Sequence, residues 1–170
     1  MKIVNIHSRH LPASVDQIGQ LLATVASADD RVWPHENWPR MRLDRPIQVG
    51  AVGGHGPIQY RVVTYWPQEC VRFEFTSGSV GWHELQLQAT GEHTCLITHT
   101  VQTQPNWKFR IAWLLVIRYM HDALVEDLFD KLEAQFHPLT QPKRWNVLVK
   151  LLRMAQGGSA HKRPAANFGL

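Results

Sequence analysis

The sequence predicts an α+β domain in which a run of antiparallel strands precedes a long C-terminal helix. Between residues 47 and 102, apolar and polar residues alternate with period two in segments separated by Gly-rich or polar turns. From Asn106 to about Phe136 the apolar residues instead recur at helical spacing. With 170 residues, 44% of them hydrophobic, the chain suits one domain with a sizeable core.

The N-terminal part is predicted to contain a strand, a short helix and an irregular segment. The strand is KIVNIHSR. Pro12 and Ser14 introduce a helix whose apolar positions recur at helical spacing: Val15, Ile18, Leu21, Leu22 and Val25. The stretch ASADDRVWPHENWPRMRLDRP has two Trp-Pro pairs and many charges, which indicates broken helical or loop structure.

Five strands joined by short hairpins are predicted next: IQVGAV, IQYRVVTYW, CVRFEFT, WHELQLQA and TCLITHTVQ. The stretch GAVGGHG contains glycines like a phosphate-binding loop, but no Lys-Ser or Lys-Thr follows it, and a strand follows instead of a helix. We therefore expect a tight hairpin whose glycines adopt positive φ, with His55 at its tip.

The long helix is expected to begin at an Asn106 N-cap and to end at His137-Pro138. One stripe of this helix is apolar and contains Trp113, Ile117, Leu124, Leu128 and Leu132. His121 lies in the middle of that stripe, where a polar side chain needs a partner. Asp122 lies about 100° further around the helix and is expected to face solvent.

A second amphipathic helix is predicted in PKRWNVLVKLLRMAQ. Its apolar face holds Trp145, Leu148, Val149 and Leu152, and its basic positions are Lys143, Lys150 and Arg153. The composition of GGSAHKRPAANFGL is typical of a flexible end. We therefore divide the chain into a domain of residues 1–137 and a basic helix with a flexible tail, residues 138–170.

The net charge of +4 belongs to that tail. Residues 1–137 carry 12 Lys+Arg against 14 Asp+Glu, whereas residues 138–170 carry six basic residues and no acidic one. The body thus lacks the clustered charge of a nucleic-acid binder, and we expect no nucleic-acid partner. Residues 143–155 are expected to pack on the body or on a second copy in a homodimer, or to contact an anionic membrane.

The lack of a recognisable signal peptide and the lack of a disulfide framework predict a cytoplasmic protein. The N-terminus becomes charged and polar within ten residues, unlike a signal peptide, and the run IAWLLVI is too short to span a bilayer. Cys70 and Cys95 lie in separate strand-like stretches, so no disulfide framework is expected.

The order strand, helix, broken helix, antiparallel strands and long helix resembles the START-like helix-grip superfamily, also called SRPBCC, over residues 1 to about 136. VGAVGGHGPIQY is similar to the glycine-rich hairpin of its plant pathogenesis-related branch, and DDRVWPHENWPRMRLDRP resembles uncharacterised bacterial members. The resemblance implies a curved antiparallel sheet wrapped around the C-terminal helix, with an internal cavity that accepts lipids, polyketides or other apolar molecules. Carriers, cyclases and co-chaperones share this fold, so it does not select a function.

Period-two alternation predicts which strand residues face that interior. The inward set comprises Ile58, Tyr60, Val62, Thr64, Val71, Phe73, Phe75, His83, Leu85, Leu87, Ile97, His99 and Val101. His83 and His99 then face the same space as His121. The predicted ligand-binding residues are His83, His99, His121, Tyr60, Phe73, Phe75, Leu85, Ile97, Ile117 and Leu124.

An apolar lining with a few polar groups predicts the binding of a small or medium hydrophobic molecule, with its transport as an extension of that role. The alternative is a cyclase- or aromatase-like enzyme that uses His83, His99 or His121 as acid or base. A second alternative is a co-chaperone-like interaction module, and any single inward histidine can also be an ordinary core residue. No close-spaced pair such as HxxxH or CxxC occurs, so we expect no bound metal and no cofactor.

Overall fold

The computed structural model describes residues 2–78, 80–139 and 143–157, and it has the predicted α+β architecture. The strands are β1 (Ile3–Leu11), β2 (Arg42–Leu43), β3 (Val52–His55), β4 (Ile58–Trp66), β5 (Cys70–Phe75), β6 (Val80–Gly91) and β7 (Thr94–Gln104). The helices are α1 (Val15–Leu22), α2 (Trp107–Ala112), α3 (Arg118–Glu133) and α4 (Val147–Ala155), with a π-helical turn (Trp113–Ile117) between α2 and α3.

The strands form one seven-stranded antiparallel sheet in the order β1-β7-β6-β5-β4-β3-β2. The N-terminal strand therefore lies beside the last strand of the meander. This sheet curves around the long C-terminal helix, which confirms the predicted helix-grip arrangement.

Side-chain caps fix where two of the helices begin. Ser14 Oγ accepts a hydrogen bond from the Gln17 backbone amide, and Gln17 Oε1 accepts one from the Ser14 backbone amide, which makes a capping box. Asn106 Oδ1 accepts from the Phe109 amide at 2.9 Å. The predicted N-cap of the long helix is thus present.

The core joins the inner face of the sheet to α1, α3 and the irregular segment 26–46. Its fully inaccessible side chains come from all four parts and include Ile18, Val32, Val62, Ile97, Phe129 and Leu132. Burying each such side chain contributes about 1.5 to 3 kcal/mol relative to exposure. The helix is therefore held against the sheet mainly by apolar contact.

The predicted strand over IQVGAV is wrong, because the strand lies at Val52–His55, later in the chain. Gly53 and Gly54 belong to it, and a Cβ on either would lie 1.9 Å from a backbone oxygen of a neighbouring strand. These two glycines permit close strand approach, whereas Gly50 and Gly56 adopt the expected positive φ of 89° and 51°.

A β-bulge in β4 overturns the predicted orientation of Thr64. The register shifts between Val62 and Thr64, after which Thr64 lies opposite Arg72 and Tyr65 lies opposite Val71. The extra residue reverses the alternation. Thr64 therefore shares the outer face with Arg72, and Tyr65 packs against the core.

The long helix is not continuously α-helical. Residues Trp113–Ile117 form a π-helical turn, which has more residues per turn than an α-helix. The side chains of the apolar stripe before and after this turn therefore do not lie on one straight line along the helix. Trp113, Leu124, Leu128 and Leu132 are buried as predicted. Ile117 is only partly buried and lies outside the core cluster.

Helix α4 packs on the body through a face that is rotated from the predicted one, with Trp145 and Val149 buried as predicted. Trp145 and Val149 belong to the core, and Arg153 is 7% exposed and donates to the Asn37 carbonyl at 2.6 Å. Leu148, expected on the buried face, is 38% exposed. The boundary at residue 137 stays a prediction, and the predicted flexible tail beyond Gly157 lies outside the described residues.

Candidate ligand-binding site

Four histidine side chains form a row between the sheet and α3, and we call His7, His121, His99 and His83 the histidine row. Ring centroids are 6.1 Å apart for His7 and His121, 5.1 Å for His121 and His99, and 5.7 Å for His99 and His83. The row continues to Tyr60, whose ring centroid lies 4.5 Å from that of His83.

Strand pairing explains this alignment. His7 on β1 lies opposite His99 on β7, and His83 on β6 lies opposite Phe73 on β5. Residues directly opposite each other in antiparallel strands project from the same face of a sheet. The sheet thus supplies His7, His99 and His83, while α3 adds His121 from above.

The structure brings together most residues predicted for the site. His83 and His99 do face the same interior as His121, with Tyr60 beside them. Among the predicted apolar residues, Phe73, Leu85, Ile97 and Leu124 are buried and Phe75 is partly buried against the core. Ile117 stands apart from them in the π-helical turn. His55 is the last residue of β3, beside the turn to β4. Its ring packs toward the interior, with centroids 4.6 Å from Trp33 and 5.6 Å from Tyr60.

Aromatic rings surround His83. Its imidazole stacks on Phe73 at 4.8 Å and on Phe75 at 5.6 Å, and its Nε2 atom is buried without a hydrogen-bond partner among the described residues. Burial in this apolar setting lowers the pKa of His83 to about 3. His83 is therefore neutral at physiological pH and offers an unused polar atom.

His99 and His121 each also have a ring nitrogen that lacks a hydrogen-bond partner among the described residues. In both residues it is the Nδ1 atom, which is buried. Burial lowers the pKa of both, well below the ordinary value for His99, and a nearby Asp122 carboxylate partly opposes the shift at His121. An unsatisfied buried polar group costs about 1 to 3 kcal/mol. We call His83, His99 and His121 the three inner histidines.

His7 lies at the other end of the row and is bonded on both ring nitrogens. Its Nε2 atom is 3.0 Å from Asp122 Oδ1, and its Nδ1 atom is 3.0 Å from Glu126 Oε1. These two hydrogen bonds, that to Asp122 first, raise the pKa of His7 to about 9 against the opposing effect of burial. His7 therefore carries a proton at neutral pH.

The expectation that Asp122 faces solvent is wrong. Its carboxylate also accepts from Asn5 Nδ2 at 3.0 Å, and the side chain is 35% exposed. Rotation by about 100° from His121 turns the side chain from the centre of the sheet toward its edge strand, β1, where it is bonded by protein groups while staying partly exposed. The interior therefore does have a carboxylate beside its histidines.

Sequence reasoning missed a charged network between β1 and α3. Arg9 donates to Glu126 at 2.7 Å, to Asp130 at 2.5 Å and to Glu133 at 3.1 Å. Two signals in the sequence point to it. Asn5, His7 and Arg9 alternate along β1, and four acidic residues recur at helical spacing, which we call the acidic stripe of α3: Asp122, Glu126, Asp130 and Glu133.

An open groove lies at the end of the sheet where α2 begins. It has a volume of about 580 Å³ and is lined by the adjoining ends of β5, β6 and β7 and by the connections that follow β5 and β7, including Phe75, Val80, Gln104 and Asn106. Phe75 also contacts His83, with ring centroids 5.6 Å apart. One side chain thus borders both the groove and the histidine row.

Within the described residues, no helix combines the length and apolarity needed to cross a membrane.

No protein-family model and no curated protein matches the chain. Solved structures do match. Norcoclaurine synthase from Thalictrum flavum, in complex with dopamine and hydroxybenzaldehyde, is 14% identical over 82% of this chain and 90% of its own, with a TM-score of 0.61. A Thermobifida fusca protein is 13% identical over 84% of this chain and 99% of its own, with a TM-score of 0.61. CalU16 from Micromonospora echinospora is 11% identical over 91% of this chain and 83% of its own, with a TM-score of 0.57.

These neighbours are helix-grip proteins, and likeness at such low identity concerns architecture. The sheet order, the long helix and the solved structures agree. The chain therefore has the helix-grip fold.

Proposed function

We propose that this protein binds a small or medium-sized apolar molecule with a polar end, held between the sheet and the long helix. The supporting observation is the set of three inner histidines, each with a buried nitrogen that lacks a hydrogen-bond partner among the described residues. A ligand hydroxyl both donates and accepts, so it can satisfy neutral imidazoles in either tautomer. Phe73, Phe75 and Leu85 would contact the apolar remainder.

The groove beside Phe75 is the proposed entrance. It opens at the end of the sheet, and Phe75 separates it from His83. Rotation of that one ring would join the groove to the histidine row. A ligand entering this way meets aromatic side chains first and the inner histidines afterwards, so its polar end leads.

The solved neighbours are compatible with a ligand of this kind. Dopamine and hydroxybenzaldehyde, present in the norcoclaurine synthase complex, are small aromatic molecules that carry hydroxyl groups. By the same reasoning we propose such hydroxylated ring compounds, and fatty acids as a second class, as the first probes for this chain.

An acid–base enzyme of the cyclase or aromatase kind is the second candidate. The observation that favours it is the opposite direction of two neighbouring pKa shifts, raised to about 9 for His7 and lowered for His121. Two titratable groups whose pKa values are shifted in opposite directions can act as the acid and the base of one reaction. Such an enzyme would accept a proton at an inner histidine, and its substrate would take a proton from His7 after displacing one of the two carboxylates bonded to that ring.

The test begins with untagged protein analysed by native mass spectrometry, followed by solvent extraction of any retained molecule. The extracted molecule, or hydroxylated aromatic probes, is then titrated against wild type, His99→Phe and His10→Phe. His10 lies on the outer, exposed side of β1 and is the matched control. We expect His99→Phe to weaken binding about tenfold, the value of one neutral hydrogen bond, and His10→Phe to leave it unchanged.

Each result separates the candidates. A molecule released unchanged supports the carrier, and a chemically altered one supports the enzyme. Protein that purifies empty and binds none of the aromatic or fatty-acid probes contradicts both, and favours the interaction module.

We also propose that α4 contacts an anionic membrane, in a protein that resides in the cytoplasm. Its outward side exposes Val147, Leu151 and Met154 beside the exposed basic residues Lys143 and Lys150. An apolar stripe with adjacent cations suits an anionic lipid surface. The two free cysteines, Cys70 and Cys95, fit a reducing compartment.

Liposome co-sedimentation tests the membrane contact. Val147 and Val80 are 71% and 74% exposed, so Val147→Asp and Val80→Asp form a matched pair. We expect phosphatidylserine vesicles to lose at least half of the bound protein for Val147→Asp only. Equal binding by the two variants contradicts the proposal, and a concentration-dependent dimer broken by Val147→Asp would assign the same face to a second copy.

A further inference from the structure

The end of the histidine row nearest β1 has the geometry of a second site. His7, His121 and Asp122 can each offer one ligand atom, and these three atoms all lie within 4.8 Å of one another. Asp122 Oδ1 is 3.0 Å from His7 Nε2 and 3.7 Å from His121 Nδ1. A tetrahedral ion with bonds of about 2.0 to 2.1 Å separates its ligand atoms by about 3.4 Å. Shifts of a few tenths of an ångström would bring these two distances to that value.

Neighbouring side chains already orient two of these groups. Glu126 Oε1 lies 3.0 Å from His7 Nδ1, the ring nitrogen that points away from Asp122. Asn5 Nδ2 donates to Asp122 at 3.0 Å. A carboxylate on the far nitrogen of a histidine is the usual partner of a metal-bound imidazole, because it fixes the tautomer and raises the basicity of the ligand.

The third group supplies an independent observation. His121 Nδ1 is buried and has no hydrogen-bond partner among the described residues, although it faces Asp122. At 3.7 Å the two atoms are too far apart for a hydrogen bond but suitably placed for a shared ion. Ordinary packing leaves that nitrogen unsatisfied, and a metal ion would satisfy it.

Charge and access also suit a dication. The acidic stripe of α3 places four carboxylates against β1, where Arg9 bonds three of them. The side chains of His7 and His121 are 15% and 16% exposed, and that of Asp122 is 35% exposed, so the cluster borders solvent on the Asp122 side. Imidazole and carboxylate ligands together favour zinc and its transition-metal neighbours over calcium or magnesium.

We propose that His7 Nε2, His121 Nδ1 and Asp122 Oδ1 bind one divalent transition-metal ion of the zinc class. The ion replaces the hydrogen on Nε2, which leaves to solvent as a proton, and the remaining coordination position is filled by water. Spacing along the sequence did not indicate this set, since β1 supplies one ligand and α3 supplies two adjacent ones. The site shares His121 Nδ1 with the ligand-binding function proposed above. Its test needs no apolar ligand, so failure of the metal site is distinguishable from failure of that function.

The test uses untagged full-length protein freed of metal by a chelator. Zn²⁺ is titrated calorimetrically, and Co²⁺ is titrated in parallel by its visible absorption, which reports coordination geometry. We expect one ion per chain, with affinity reduced at least tenfold in His7→Gln, His121→Phe and Asp122→Asn. Glu126→Gln should weaken binding about 10- to 100-fold while the Co²⁺ spectrum keeps its shape.

His10→Gln and His93→Gln are the controls, because both histidines are exposed and lie outside the cluster. They should bind as wild type does. Absence of saturable binding up to millimolar Zn²⁺ overturns the site, as does binding that survives in His121→Phe and Asp122→Asn. Circular dichroism checks each variant, and if His7→Gln does not fold, those two decide the outcome.

Discussion

His7 and His99 occupy directly opposed positions on neighbouring strands, face the same helix, and yet have opposite chemistry. The pKa of His7 is raised to about 9, chiefly by its hydrogen bonds to Asp122 and Glu126. Burial lowers the pKa of His99 well below the ordinary value, and its Nδ1 atom has no hydrogen-bond partner among the described residues. Strand alternation sets the face of a side chain, whereas the element packed against it sets its charge.

The same contrast separates two regions of the interior. At β1, polar side chains meet the acidic stripe of α3, and their charges are paired. Four strands away, at β4, Tyr60 is 2% exposed and stands among Phe73, Phe75 and His83. One region is stabilised by its own partners, and the other contains buried nitrogen atoms that a ligand could satisfy.

The largest effect should come from removing the cation of the polar region. Arg9→Met leaves Asp130, whose side chain is 3% exposed, without its charged partner, and breaking a buried ion pair costs about 3 to 5 kcal/mol. Arg9→Lys should cost less because it keeps the charge. Urea unfolding measures both. Arg61→Met, at an exposed arginine, should change the free energy of unfolding little, and a loss below about 1 kcal/mol for Arg9→Met would show that the network is not stabilising.

A smaller effect should appear as the acid sensitivity of the aromatic region. The pKa of His83 is lowered to about 3 in the folded protein, against about 6.5 when unfolded. Above pH 6.5 both states are neutral and stability is unaffected. Below it the unfolded state gains protons first, so stability falls as the pH drops toward 3. Between pH 7.5 and pH 5 this one group should cost about 2 kcal/mol.

The variant His83→Phe should therefore lose about 2 kcal/mol less than wild type over that pH interval. Urea unfolding at both pH values gives the difference. Phe73→Leu is the control, because it changes packing beside His83 without removing a titrating group, so its destabilisation should be equal at the two pH values. An unchanged pH dependence in His83→Phe would mean that His83 is not neutral in the folded state.

Alternation and helical spacing predicted much of the fold because both follow from local geometry. His83 and His99 could be assigned to the inner face from their apolar neighbours in sequence, such as Leu85 and Ile97. Thr64 could not, because a bulge that reverses the alternation depends on pairing with β5. Sequence alternation therefore predicts the orientation of a strand side chain except where pairing with another strand changes the register.

The polar region was harder to predict for a different reason. The inward residues of β1 are Asn5, His7 and Arg9, while its exposed positions include Val4 and Ile6. Alternation that assigns apolar residues to the interior would turn this strand the wrong way. Only pairing with the acidic stripe of α3, more than 110 residues away in the chain, makes the polar face the inner one.

The smallest predicted effect concerns a third kind of environment on α3, a buried carboxylate whose known donors include neutral groups. Asp127 is 4% exposed and accepts from the indoles of Trp38 at 2.8 Å and Trp145 at 3.0 Å. Trp145→Phe keeps most of the ring packing of α4 but removes one donor, while the Trp38 bond remains. We expect the free energy of unfolding in urea to fall by about 1 kcal/mol, the value of one hydrogen bond to a neutral donor.

Trp66→Phe, at a tryptophan that is 60% exposed, is the control and should change the free energy of unfolding by almost nothing. Equal losses for the two variants would show that the Trp145 hydrogen bond does not stabilise the docking of α4, whereas a loss near that of Arg9→Met would show that a neutral donor supports this carboxylate as strongly as a cation does.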